Sequence, residues 1–228
     1  MNRNFTAFCA AMLAFAILLV ICGGFIADSK KFALAEEAEK TVYLTFDDGP
    51  SDRVTPKILD VLAEEKVKAT FFIIGKNVET RKNLIKREFD EGHTVAVHSY
   101  THKYKEIYSS AESLIKDIDA CNEVIKSVTG KYSSVYRFPG GSYGLSQKFI
   151  SAVTAHGLRY VDWNASTRDA EILNATPAQL LKAAVTTSAS SNYIVLLAHD
   201  STSKSATAEA LRDIIKHYKD NGYVFKAF

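Results

Sequence analysis

Two adjacent carboxylates, Asp47 and Asp48, directly follow a short run of β-branched and aromatic residues. The run 41–46 predicts a β-strand, and Gly49-Pro50 predicts a turn at its end. Neighbouring carboxylates repel each other, so a fold that keeps both ionised supplies a metal ion or an arginine beside them. Because adjacent side chains point in different directions, one aspartate can bind a metal while the other acts as a base. The four letters Asp-Asp-Gly-Pro alone are equally typical of a solvated turn.

Two histidines, His98 and His102, are four residues apart, a spacing that places both imidazoles on one side of a helical turn. Two neutral imidazoles and one aspartate form a ligand set that suits Zn²⁺ and leaves one coordination position open for water. An open position is typical of catalytic zinc sites rather than structural ones. We therefore predict that both histidines and one aspartate bind a divalent ion, either Zn²⁺ or another such as Co²⁺.

Other reactive side chains follow later β-prone runs. Arg137 is followed by Phe-Pro-Gly-Gly, and we predict that it fixes the basic carboxylate while an N–H near Gly140 stabilises an oxyanion. Asp162 ends a further run, and His199 with Asp200 ends another. A carboxylate beside an imidazole raises the imidazole pKa and makes it a proton donor near neutral pH. We predict that His199 is the acid and that Asp162 is the carboxylate that keeps it charged.

Two aromatic residues complete the predicted site. Trp163 is the single tryptophan of the chain and stands at the end of a β-prone run. An aromatic face at such a position can stack on a sugar ring, although a tryptophan can equally belong to the core. We predict that Trp163 and Tyr143 bind substrate.

Beyond Lys40, short β-prone runs alternate with segments of helical periodicity, which is typical of βα units with a mainly parallel sheet. The reactive residues fall at the C-terminal ends of these runs, where barrel enzymes place their active sites. The pattern predicts an α/β fold, a distorted (β/α) barrel with about seven parallel strands. The seven runs are 41–46, 69–74, 94–97, 135–138, 158–161, 193–198 and 223–225.

Two of the predicted helices carry capping boxes, in which a Ser or Thr is followed three residues later by Glu or Gln. The first box is Ser109 with Glu112, and it precedes an apolar face that extends from Leu114 to Val128. The second is Thr176 with Gln179, with a proline at the first helical position.

Residues 5–27 carry no charged side chain, a run of 23 residues. A helix of about 20 residues crosses a bilayer core, whereas the apolar region of a signal peptide is about 7–15 residues long. We therefore predict an N-terminal hydrophobic helix at 5–27 that is a retained membrane anchor or, if cleaved, a signal segment. Residues 1–4 would form a short cytoplasmic tail, 28–40 a linker and 41–228 a catalytic domain outside the cytoplasm, either anchored or secreted.

The charge balance and the cysteine count exclude other classes. Residues 36–228 carry 25 basic and 25 acidic side chains, so the sequence predicts no nucleic-acid partner. Two of the three cysteines lie in the apolar N-terminal run, which leaves Cys121 alone in the predicted domain. This count predicts neither a disulfide framework nor a cysteine metal cluster.

With these residues in view, the sequence resembles the NodB-type polysaccharide deacetylases, carbohydrate esterase family 4, over about residues 40–228. All five motifs of that family have a counterpart here. They are Thr45-Phe46-Asp47-Asp48-Gly49-Pro50, His98-Ser99-x-x-His102, Arg137-Phe138-Pro139-Gly140, Asp162-Trp163 and Leu197-x-His199.

The resemblance implies Asp47 as the base and Asp48 as the metal ligand beside the two histidines. It also implies that Arg137 holds Asp47, that the Gly140 N–H serves the oxyanion and that His199 is the acid. Gly140 stands where relatives often have a tyrosine, which is harmless if only the main chain acts. The family fold is a distorted barrel, often with fewer than eight strands, in agreement with the seven runs.

The implied function is metal-dependent hydrolysis of N-acetyl groups on an acetylated glycan. Peptidoglycan GlcNAc is favoured as the substrate because the domain is predicted to lie near a membrane. Chitin oligomers and acetyl-xylan stay open, as do GlcNAc against MurNAc and the oligomeric state. A glycan-binding module without catalysis would lack a base, a ligand or an acid, and none is missing. A zinc peptidase is disfavoured because the chain has no His-Glu-x-x-His pattern.

Overall fold

The computed structural model describes residues 39–228. The predicted tail at 1–4, the hydrophobic helix at 5–27 and most of the linker at 28–40 lie outside these residues. Within 39–228, no helix is both long enough and apolar enough to cross a membrane.

Eight strands form one parallel sheet in the described part of the chain. Seven follow the hydrogen-bonded path β5-β4-β3-β2-β1-β7-β6, which is open between β5 and β6, and β8 pairs with the start of β1. The prediction of an α/β fold on parallel strands is confirmed. The strands are β1 Thr41–Gly49, β2 Thr70–Ile74, β3 Thr94–Ser99, β4 Val135–Tyr136, β5 Arg159–Tyr160, β6 Ala165–Ser166, β7 Tyr193–His199 and β8 Val224–Lys226.

One strand was not predicted. The two residues of β6 stand directly after the polar stretch that begins at Asp162, and they pair with Leu196 and Leu197 of β7. A strand of two residues is too short to show an alternating pattern. Its position determines where the following segment runs, which matters for the site described below.

Helices connect the strands and cover the sheet. Apolar side chains from both the helices and the strands form one large buried core. The helices are α1 Thr55–Glu65, α2 Gly75–Val78, α3 Lys82–Asp90, α4 Tyr104–Ile107, α5 Ala111–Thr129, α6 Gln147–Ala155, α7 Pro177–Thr187 and α8 Ser205–Asp220.

The capping predictions have different outcomes. Thr176 and Gln179 form the predicted reciprocal box at the start of α7. At α5 the prediction is wrong by one residue, because Ser110 is the N-cap and accepts a hydrogen bond from the Ser113 N–H. The Ser109 hydroxyl instead donates to the Glu106 carbonyl of the preceding short helix.

Alternation along β1 sorts its side chains onto two faces of the sheet. Val42, Leu44 and Phe46 belong to the large apolar core. Thr45 and Asp47 project from the opposite face, where the Arg137 guanidinium donates to both. The central strand of the sheet therefore delivers a reactive carboxylate to the inner face of the partial barrel.

A second acid is buried away from this face. Glu88 of α3 has no exposed surface, and neither of its carboxyl oxygens has a hydrogen-bond partner. Burial, with the nearby negative charge of Asp200, raises the pKa of Glu88 well above its ordinary value of 4.5. An unpaired buried carboxylate is so unfavourable that the group is held in its neutral form.

This burial makes stability depend on pH. The folded protein retains a proton on Glu88 that the unfolded chain releases above about pH 4.5, so stability falls as pH rises from there toward the raised folded pKa. The loss is at most about 1.4 kcal/mol per pH unit. We expect Glu88→Gln, which cannot ionise, to lose less stability than wild type between about pH 5 and pH 8 in urea unfolding. The exposed Glu209→Gln on α8 is the control, and equal pH dependence of wild type and Glu88→Gln would contradict the explanation.

Candidate metal and catalytic site

The first half of the site is a buried ion pair at the end of β1. An Nη1 proton of Arg137 is donated to Asp47 Oδ1 at 2.8 Å, and Arg137 has no exposed surface. Burial raises the pKa of Asp47, while the positive charges of Arg137 and His199 oppose that shift. The structure thus brings Asp47 and Arg137 together as predicted, with the carboxylate oriented by the guanidinium and more basic than an ordinary aspartate.

Asp48 is the aspartate nearer to the two histidines. Its Oδ1 lies 3.5 Å from His98 Nε2 and 3.3 Å from His102 Nε2, and one ligand atom from each of the three residues lies within 4.8 Å of the others. The corresponding distance from Asp47 Oδ2 to His98 Nε2 is 4.0 Å. Asp48 Oδ1 is buried and has no hydrogen-bond partner. An orphaned carboxylate oxygen that faces two imidazole nitrogens fits a divalent cation.

Two of the three ligand residues have unusual backbone conformations. The φ angle is +73° at Asp48 and +56° at His102. This left-handed conformation costs residues other than glycine roughly 1–2 kcal/mol of conformational energy each. The irregular end of β1 and the loop after β3 therefore hold these side chains in strained backbone conformations.

His98 is held by its second ring nitrogen. Nδ1 donates to the Arg137 carbonyl at 2.9 Å, which leaves the Nε2 lone pair facing Asp48. Burial lowers the pKa of His98 to about 3, although the Asp48 charge opposes that shift. A neutral imidazole with a fixed tautomer is the form that binds metal ions.

The loop between the two histidines is fixed by Asp117 of α5. Its Oδ2 accepts from the Ser99 hydroxyl at 2.5 Å and from the Tyr100 N–H at 2.8 Å, and its Oδ1 accepts from the Thr101 N–H at 3.0 Å. The Ser99 oxygen in turn accepts from the His102 N–H at 2.8 Å. Sequence reasoning did not identify Asp117, because an acid within an amphipathic helix resembles any solvated position.

The second half of the site is an imidazole at the end of β7. His199 Nδ1 donates to Asp169 Oδ1 at 2.7 Å, and the His199 N–H donates to Asp169 Oδ2 at 2.8 Å. The Thr207 hydroxyl also donates to Asp169 Oδ2. Burial opposes the charge on the imidazole, but the hydrogen bond and the charge of Asp169 raise the pKa of His199 to about 9. His199 is thus positively charged at neutral pH.

The predicted pairing of His199 with Asp162 is wrong. Asp162 accepts two hydrogen bonds from Ser142, one from its N–H at 2.9 Å and one from its hydroxyl. The reason is that β6 pairs with β7. The residues that follow β6 therefore lie near His199, at the end of β7. Asp169 stands three residues beyond β6, and the sequence offered no signal for a strand so short. Asp200 also points away from the imidazole, since its Oδ2 accepts from the Thr55 hydroxyl at 2.5 Å.

The remaining predicted residues are Gly140, Trp163 and Tyr143. Gly140 has a φ angle of +82° and is exposed. Trp163 is partly buried, lies 5.7 Å from the Arg137 guanidinium carbon and covers Gly141, where an added Cβ would stand 3.0 Å from the indole ring. Tyr143 is fully exposed. The oxyanion role of Gly140 and the substrate contacts of Trp163 and Tyr143 stay predictions.

Comparison with known proteins shows close similarity. Residues 35–161 match the family model described as polysaccharide deacetylase. The chain is 35% identical to the peptidoglycan-N-acetylglucosamine deacetylase of Bacillus cereus over 83% of this chain and 69% of that protein. It is also 35% identical to the peptidoglycan-N-acetylmuramic acid deacetylase PdaA of Bacillus subtilis over 86% of this chain and 73% of that protein.

A solved structure agrees with these relatives. The catalytic domain of peptidoglycan N-acetylglucosamine deacetylase from Eubacterium rectale superposes with a TM-score of 0.79 at 37% sequence identity. The match covers 85% of this chain and 90% of that domain.

The geometry assigns different duties to the two adjacent aspartates. His98→Ala should abolish binding of a divalent ion, because it removes one of three ligands. Asp47→Asn should retain the ion, because its amide still accepts from Arg137 and Asp47 is not the nearest carboxylate to the histidines. The measurement is the metal content of the purified variants by mass spectrometry after dialysis against Zn²⁺. Loss of metal from Asp47→Asn with retention in Asp48→Asn would reverse the assignment.

Proposed function

Because this chain belongs to the polysaccharide deacetylase family, we propose that it removes N-acetyl groups from peptidoglycan, with GlcNAc as the favoured sugar. We further propose that a divalent ion, Zn²⁺ or a similar metal, binds at Asp48, His98 and His102. The observation that carries this proposal is the pair of opposed groups beside the three ligands. Asp47 and His199 are register partners on β1 and β7, one a buried carboxylate and the other a charged imidazole.

The two groups supply the two proton transfers that amide hydrolysis needs. Asp47 takes a proton from the water that attacks the acetyl carbon. When the carbon–nitrogen bond breaks, His199 gives its proton to the departing nitrogen, so that acetate and a free amino sugar result. A divalent ion at the three ligands would polarise the acetyl carbonyl. The Gly140 N–H is the proposed main-chain donor to the developing oxyanion.

Two residues position these groups. Arg137 holds Asp47 through a charge-assisted hydrogen bond, which fixes the orientation of the carboxylate. Asp169 accepts from His199 Nδ1, which fixes the tautomer and leaves the Nε2 proton available to the leaving group. The base and the acid thus each depend on a buried partner of opposite charge.

The relatives support a cell-wall glycan as the substrate, but they do not favour one sugar. The chain is equally similar, at 35% identity, to a relative named for N-acetylglucosamine and to one named for N-acetylmuramic acid. GlcNAc is proposed because the solved structure described above is also named for that sugar. The apolar run 5–27 supports a location outside the cytoplasm, with the domain held at a membrane or secreted after cleavage.

The substrate proposal is tested by acetyl release. Purified chain loaded with Zn²⁺ is incubated with peptidoglycan, chitin oligomers and acetyl-xylan, and the loss of acetyl groups is followed by mass spectrometry. We expect peptidoglycan fragments to lose acetyl from GlcNAc, and Asp47→Asn to release none. Release from MurNAc or from acetyl-xylan alone would contradict the choice of sugar. Binding without release from any substrate would instead indicate a glycan-binding module.

The acid role of His199 is tested by pH dependence. The rate should fall at high pH as His199 loses its proton, near the raised pKa of about 9. Asp169→Asn removes the charge that raises this pKa, so the alkaline limb of kcat/KM should move to lower pH by about one unit or more. Asp162→Asn is the matched control, because Asp162 contacts Ser142 rather than His199. An alkaline limb that stays in place in Asp169→Asn would mean that another group is the acid.

A further inference from the structure

Tyr104, the first residue of α4, stands beside the three ligand residues but is not one of them. Its ring meets the His102 imidazole edge-on, with centroids 5.4 Å apart and planes at 84°. On the other side it contacts the ring of Tyr108 at 5.9 Å, and the Tyr108 hydroxyl donates to the Pro139 carbonyl at 2.9 Å. These contacts hold the Tyr104 ring at the border between the ligand loop and the turn that follows β4.

The same ring occupies the space above Gly140. A Cβ added to Gly140 would stand 3.1 Å from both Tyr104 Cε1 and the Tyr104 hydroxyl oxygen. Gly140 also has a φ angle of +82°, which side chains rarely adopt. Because residue 140 is a glycine, the space beside its N–H, the proposed oxyanion donor, is occupied by the side chain of Tyr104.

The hydroxyl of Tyr104 is free to bind something else. No hydrogen bond of this hydroxyl is found within residues 39–228, and Tyr104 is 47% exposed. A phenol can both donate and accept a hydrogen bond, and its ring offers an apolar face. These are the properties that match the hydroxyl and acetamido groups of a sugar ring.

We propose that the Tyr104 hydroxyl hydrogen-bonds to the acetylated sugar whose acetyl group lies at Asp48, His98 and His102, and that Tyr104 is a substrate-binding residue of this site. The inference rests on the proposed function, because it takes the ligand to be a glycan. The contact that it adds comes from Tyr104, which is not itself one of the three ligand residues.

The test is Tyr104→Phe, which removes one oxygen and keeps the ring. In the inactive Asp47→Asn background, calorimetry with N-acetylglucosamine oligomers should show a Kd about two- to tenfold higher for the added Tyr104→Phe change, the range expected for one lost hydrogen bond. In the active protein, KM for the same oligomers should rise by a similar factor while kcat is unchanged. Zn²⁺ content should stay equal to wild type.

The matched control is Tyr193→Phe, which removes the hydroxyl of a tyrosine of similar exposure, 52%, at the opposite end of the sheet. It should leave both Kd and KM unchanged. An unchanged Kd in Tyr104→Phe, or an increase equal to that of Tyr193→Phe, would overturn the inference. A wild-type protein that binds the oligomers but releases no acetate from any substrate would contradict the proposed function alone, because the Kd comparison does not require turnover.

Discussion

The site depends first on a charge placed where water cannot reach it. The Arg137 guanidinium has no exposed surface, and it is stable there only because every side of it is occupied. It donates to Asp47 and to the Thr45 hydroxyl, both at 2.8 Å, and to the Val161 carbonyl at 2.9 Å, and it lies 4.1 Å from the centre of the Phe72 ring. Loss of one partner from such a buried pair costs about 3–5 kcal/mol. The buried pair of Arg137 and Asp47 therefore both stabilises the fold and positions the proposed base.

The proposed base and the proposed acid are each paired with a buried residue of opposite charge, but the charges are reversed between the two pairs. In the proposed reaction, the Arg137 cation beside β1 supports the carboxylate that would react, whereas the Asp169 carboxylate beside β7 supports the imidazolium that would react. Burial raises the pKa of Asp47 against the opposing charge of Arg137, whereas Asp169 raises the pKa of His199 against the opposing effect of burial. Because Asp47 and His199 are register partners, the parallel sheet itself sets the separation between the proposed base and the proposed acid.

The sequence predicted those parts of the site that lie on long strands or in dense local patterns. Asp48, His98 and His102 could be grouped because ligand chemistry requires such a set, and Arg137 because a carboxylate pair requires a cation. Asp169 could not be found in this way, since its location depends on β6, whose two residues carry no periodic signal. Tertiary pairing across the sheet, rather than local preference, decides that Asp169 reaches His199 and that Asp162 does not. Asp117 was missed because its role also depends on tertiary contacts. Its four hydrogen bonds come from a loop that lies 16 to 18 residues earlier in the chain.

The left-handed backbone at Asp48 and His102 has an evolutionary consequence. A glycine at either position would relieve the conformational strain, and a glycine at 48 would also remove one of two neighbouring negative charges. Selection for stability alone would therefore tend to erase these ligands, and only selection for activity retains them. A descendant freed from its catalytic task could lose both residues and fold at least as well as its ancestor. In this architecture the fold can persist after catalytic activity is lost. The presence of intact ligand residues is therefore a better indicator of function than the fold is.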